Sequence, residues 1–204
     1  MPLASELRTR HFRVRGRTFN RQSADGLTQV LNIQMGSFDP PGTTYHPGLR
    51  ENLYGRFTVN LGVYVPEVAA NHGAGPAKNW VQEYNCCIRA RLGNLGTEQA
   101  DIWWSIEQGN AVVEDLMPRI CHDAMFFFAR YESRDLILSE FRGRSNNIGA
   151  GGPPRIICAI ILAGRGDLSA ARALLAEQVR ENQNPGHPAY VRGLATKLGL
   201  DGLD

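Results

Sequence analysis

Lysine is nearly missing from this 204-residue chain: of its 22 basic residues only Lys78 and Lys197 are lysine, and the rest are arginine. Arginine holds carboxylates and phosphates through a rigid planar fork where lysine acts as a mobile point charge, so the bias leans toward fixed anionic contacts. No apolar run approaches the roughly 18 residues of a membrane-spanning helix. The segment from Met1 to Arg10 also lacks the hydrophobic stretch of a secretion signal. Cysteine is sparse and unpatterned: Cys86, Cys87, Cys121 and Cys158 include a vicinal pair but no C-x-x-C. They read as reduced core thiols of a cytoplasmic protein. No disulfide or structural metal is needed, because a chain of this length can bury roughly 70% of its unfolded surface.

The usual chemical signatures are missing too. Five histidines, at 11, 46, 72, 122 and 187, form no ligand-spaced cluster. Cys121-His122-Asp123 is consecutive, and on a helix such neighbours diverge by about 100° each. There is no G-x-S-x-G elbow. The run Gly73 to Asn79 lacks the spacing and the Ser/Thr of a phosphate loop, and Gly149 to Gly152 follows a helical pattern instead of a strand. Asp101 and Glu107, the one pair of carboxylates on a strand, lie roughly 20 Å apart if extended. The sequence therefore offers no catalytic residue, no metal site and no cofactor.

What is present is a change of hydrophobic period. From Phe12 to about Glu107 the period is two: Phe57, Val59, Leu61, Val63 and Val65 alternate with Arg56, Thr58, Asn60, Gly62 and Tyr64. Weaker alternation marks strands at 12–19, 27–36, 88–92 and 102–107. Turn-rich connectors separate them: Asp25-Gly26, a long loop at 37–55, the segment 66–79 and a turn at 93–96. The short links predict hairpins between the first and second strands and between the fourth and fifth. After Asn110 the period becomes helical, with Val112, Val113, Leu116, Met117, Ile120, Cys121, Ala124 and Phe128 on one stripe. Pro118 predicts a kink or a fresh helix start near Met117. Further helices are expected at 134–142, 156–162, 169–180 and 188–198, with a loop at 143–154 and Asp167 or Ser169 as a helix cap.

Strands first and helices afterwards predict one α+β domain over 1–204. Residues 12–108 would form an antiparallel meander of about five strands, and residues 110–200 a helical layer on one of its faces. The opposite face would then present Asn32, Gln34, Asn60, Tyr64, Arg89, Arg91, Trp103 and Glu107. Amides, arginines and aromatics in such a layer suit recognition of a polar or acidic surface. A solvated face, or one covered by a loop such as 37–55, is the plain alternative. Charge is also uneven. Residues 1–21 carry six arginines against Glu6 alone, while the other 16 basic residues face 19 acidic ones. Arg13, Arg15 and Arg17 alternate along the first strand and could draw an anionic partner.

The runs Phe12 to Arg21, Gln29 to Gln34 and Arg56 to Val63 resemble a bacterial family known as domain of unknown function 4304, over roughly residues 7–66. The stretch Ile160 to Leu175 is similar to that family's C-terminal helical hairpin. The family pattern has glycine where His11 stands, and a longer helix before it. The resemblance implies the fold and a bacterial origin, and it transfers no catalytic residue.

Three function classes follow. The first is a non-enzymatic cytoplasmic binding protein that engages another protein through the polar sheet face, an immunity or accessory factor by analogy. The second is a binder of anionic ligands or nucleic acid through Arg13, Arg15 and Arg17, which a net charge of only +2 disfavours for nucleic acid. The third is an enzyme whose site assembles from separated residues such as Tyr64, Trp103 and Glu107. No membrane partner is expected.

Overall fold

A computed structural model describes residues 2–37, 42, 52–73, 75–77, 79–97, 99–142, 152–182, 184–200 and 202. Alternation in the N-terminal half produces strands β1 (Arg13–Arg15), β2 (Thr18–Gln22), β3 (Thr28–Met35), β4 (Arg56–Tyr64), β5 (Ile88–Arg91) and β6 (Trp104–Ser105). All pairings are antiparallel, in the order β1-β2-β3-β4-β5, with β6 also on β4. Eight helices accompany them among the described residues: α1 (Pro2–Thr9), α2 (Pro66–Asn71), α3 (Asn110–Arg119), α4 (Met125–Arg130), α5 (Arg134–Phe141), α6 (Pro154–Gly164), α7 (Leu168–Glu181) and α8 (His187–Lys197). The fold is α+β.

The register sorts side chains onto two faces. Phe19, Leu31, Leu61 and Ala90 are cross-strand neighbours on the inner face, with Val59, Val63 and Ile88 beside them. Leu116, Ile120 and Phe128 from the helical stripe join this layer in one continuous apolar core running from Leu3 to Leu200. Each fully buried Leu, Ile or Phe contributes about 1.5–3 kcal/mol of transfer free energy. Helix α6 is buried from Ile156 to Ile161 on every side, as that unbroken apolar run requires. Asp167 caps α7 by accepting the Ala170 N–H at 3.1 Å.

Several expectations need correction. The first strand is two strands, β1 and β2, joined by a tight turn at Gly16-Arg17 with Gly16 at φ +60°. Strands β5 and β6 do not pair with each other. Both lie along one edge of β4, Arg91 opposite Asn60 and Trp104 opposite Phe57. The connector after β4 contains α2, started by Pro66 in the first turn, where proline's missing N–H costs nothing. Pro118 sits inside α3 instead of starting a helix. A π-helical turn over Ile120–Ala124 follows before α4. Most of the expected loops at 37–55 and 143–154 lie outside the described residues.

Helix α1 ends at a residue in the left-handed conformation. His11 adopts φ +65°, while the Phe12 N–H reaches back to the Leu7 carbonyl at 2.9 Å and the His11 N–H to Arg8 at 3.0 Å. This left-handed helix end is the kind glycine usually supplies.

Candidate binding surface on the outer sheet face

The outer face carries the alternate residues of strands β1 to β5: Arg13 and Arg15 on β1, Thr18 and Asn20 on β2, Val30, Asn32 and Gln34 on β3, Thr58, Asn60, Gly62 and Tyr64 on β4, Arg89 and Arg91 on β5. It divides into three parts. Over the far end of β4 the chain folds back on itself between Gly75 and Cys86. Val30, Tyr64, Ala69 and Cys86 form a second buried apolar cluster there, with Ala77 and Val81 against it. Gly62 makes this cover possible, since a β-carbon at that position would lie 2.6 Å from Cys86 Sγ. The Ala77 N–H donates to the Tyr64 hydroxyl at 3.2 Å, and Thr18 donates to Gln82 Oε1 at 3.0 Å. Tyr64 and Asn60 are therefore buried. Two of the eight residues assigned to an open polar face lie beneath the chain's own cover or within its ladder of amides.

The second part is self-paired. Arg89 forks onto Glu83, with Nη2 to Oε2 at 2.9 Å. Arg91 donates to Asp101 at 2.5 Å, and its guanidinium lies 5.3 Å from the Trp103 ring centre. The amides also satisfy one another: Asn60 donates to Gln34 Oε1 at 2.7 Å and Asn32 to Thr18 at 2.9 Å. Glu107 lies beyond β6, in a short helical turn over Ile106–Gln108. A shared site of Tyr64, Trp103 and Glu107 does not assemble. Trp104 pairs with Phe57, and Tyr64 lies seven residues further along β4, roughly 23 Å away.

The third part is open. Between β1–β3 and the covering segment lies a hollow of about 430 Å³ bordered by His11, Arg13, Asn20, Gln22, Thr28, Asn79 and Trp80. A neighbouring depression of about 550 Å³ is bordered by Arg15, Gly16, Gln82, Asn85 and the exposed Tyr84, and shares Ala77, Asn79 and Trp80 with the first. Neither is lined by an aspartate or glutamate among the described residues. Arg13 and Arg15 are exposed and, among the described residues, pair with no carboxylate. Asn20 Oδ1 and Trp80 Nε1 are buried without a hydrogen-bond partner, and both side chains border the first hollow. An unpaired buried polar group costs about 1–3 kcal/mol, so the hollow favours a polar occupant. Arg17 takes no part here. It stands past the turn and lines a different cavity, on the inner side.

Three of the four thiols have no nucleophilic setting. Burial pushes Cys87 up to about 12 and Cys158 up to about 11, and it raises Cys86 as well. A thiol held protonated this way is inert. Among the described residues no group of three or more His, Cys, Asp and Glu could hold a metal ion, and no helix is long and apolar enough to cross a membrane.

Residues 49–125 match the family model described as Domain of unknown function (DUF4304). This is the family the sequence resembles. The match spans β4, the covering segment, β5, β6, α3 and the π-helical turn, so it includes the roof over the outer face but not β1–β3. It overlaps the quoted resemblance at 49–66. No curated protein and no solved structure matches the chain.

Proposed function

We propose that this chain is a non-enzymatic binding protein that engages another protein by docking an acidic patch of it onto Arg13, Arg15 and the adjoining hollows. One observation carries the reading: Arg13 and Arg15 stand on one face of an edge strand with no carboxylate partner among the described residues, while Arg89 and Arg91 are neutralised by Glu83 and Asp101. Two unpaired guanidiniums beside Trp80, Tyr84 and five amides form a surface rich in fork donors and aromatics, the residue types enriched at recognition sites. Immunity or accessory roles belong to this class. The exposed Tyr84 next to Arg15 favours a second reading, stacking of a single-stranded nucleic acid base.

The test is affinity capture from the source lysate with wild type, Arg13→Glu/Arg15→Glu and Arg89→Glu/Arg91→Glu proteins, at low and high salt, with and without nuclease. The reading expects a partner protein that survives nuclease, is lost with the first variant and at high salt, and stays with the second. Equal recovery by all three proteins refutes it, and loss on nuclease treatment transfers the surface to nucleic acid.

A further inference from the structure

The inner side of the sheet is not closed everywhere. At the corner where α1 and α3 meet the ends of β3 and β4, a cavity of about 330 Å³ remains, half open to solvent. Leu3, Ile33, Phe57, Val113 and Met117 are among its walls, and among the described residues Arg17 is the one ionisable side chain lining it. An opening walled almost wholly by apolar side chains takes apolar molecules, because water finds few hydrogen-bond partners along it. The volume lies at the low end of small-molecule sites, enough for one slender chain and too small for a helix or a second copy's side-chain layer. Ile106, a large apolar side chain, stays 57% exposed at the rim.

Arg17 decides the head group. It is exposed and, among the described residues, pairs with no carboxylate. An exposed guanidinium on a residue that lines an apolar cavity attracts an anion and repels a cation, and its planar fork matches a carboxylate. We propose that this cavity binds a free medium-chain carboxylic acid, with the aliphatic chain between the sheet and α3 and the carboxylate on Arg17. The site is independent of the Arg13 and Arg15 surface, since the turn at Gly16-Arg17 sends Arg17 to the other side of the sheet.

Isothermal titration with decanoate, decanol, decyltrimethylammonium and acetate tests it, on wild type, Arg17→Gln and Val113→Phe, each checked for an intact cooperative melt. Met117→Phe replaces Val113→Phe if the latter melts early. The expected order in wild type is decanoate at least tenfold tighter than decanol, the ammonium weaker than decanol, and acetate without saturable binding. Arg17→Gln should bring decanoate to the level of decanol, and the filled variant should lose both. Absence of saturable decanoate binding, equal affinity for the acid and the ammonium, or unchanged affinity in the filled variants overturns the proposal.

Discussion

Arg134 ties three elements together, and removing it gives the most quantitative test of the fold. Its Nε and Nη2 meet the two carboxylate oxygens of Glu67 on α2 at 2.6 and 2.9 Å, while Nη1 reaches the Asp25 carbonyl in the β2–β3 turn at 2.5 Å. The Asp25 carboxylate also takes the Arg134 backbone N–H at 2.7 Å. The Arg134 side chain is only 19% exposed. Bidentate charged hydrogen bonds at a partly buried site exceed the 0–1 kcal/mol of an exposed pair and fall short of the 3–5 kcal/mol of a fully buried one, so Arg134→Met should cost about 2–3 kcal/mol. For a chain of this size that lowers Tm by about 4–12 °C. Arg134→Lys should recover less than half, since an ammonium cannot fork. Acid titration separates the parts. The Arg134 backbone N–H is the foremost cause holding the Asp25 carboxyl below its usual range, followed by hydrogen bonds from the Arg134 side chain. A carboxyl depressed in the folded state stabilises above its unfolded pKa of about 3.9, and that stability disappears as pH falls through the lower folded value. Arg134→Met keeps the backbone bond and should keep most of this acid dependence, while Asp25→Asn should remove it. Chemical denaturation from pH 7 to 2 measures both. A loss below about 0.5 kcal/mol for Arg134→Met would place the cluster with ordinary surface pairs and refute the reasoning.

The other predictions concern backbone and thiols. His11→Gly should raise stability by about 0.5–1 kcal/mol, the left-handed strain of about 1–2 kcal/mol less glycine's entropic cost. A lower melting temperature would contradict the helix-end assignment. Gly62→Ala should cost about 1–3 kcal/mol by driving a methyl into Cys86. In a double-mutant cycle Cys86→Gly should restore much of that, and strict additivity would show that the cover does not press on Gly62. With a thiol reagent at pH 8 the native protein should show at most one fast thiol, Cys121, because Cys86, Cys87 and Cys158 are held protonated by burial. Two or more fast thiols would refute this.

Sidedness was legible because β4 alternates without a break, and so was the helical layer, because its stripe persists through the π turn. The division of the first strand was also available. Phe12 and Val14 share one parity and Phe19 has the other, so a single extended strand would put Phe19 on the wrong face, and Gly16 marks the reversal. The roof was harder. Its signals are Val30 and Tyr64 on the polar side of their strands, Val30 opposite Gly62, the glycine that leaves room for Cys86. A valine alternating with Gln29 and Leu31 looks like a lapse in pattern until something is known to cover it. Helix α2 had Pro66 at its first turn, followed by an acidic residue, but at six residues it falls below the length where periodicity speaks.

Partnering of the arginines is what strand period cannot supply. Arg89 and Arg91 alternate as cleanly as Arg13 and Arg15, yet their charges are spent on Glu83 and Asp101, which reach them only through the conformation of the flanking connectors. Arg13 and Arg15 have no such connector, because the chain before β1 is α1, whose Glu6 is taken by Arg10 at 2.8 Å. The same turn that separates β1 from β2 carries Arg17 to the inner side. Three arginines spaced two apart thus become a pair bordering two adjoining polar hollows and a single cation lining an apolar cavity on the other side. A charge-reversal at Arg15 and one at Arg17 should accordingly disrupt different ligands, although the two residues are neighbours in the sequence.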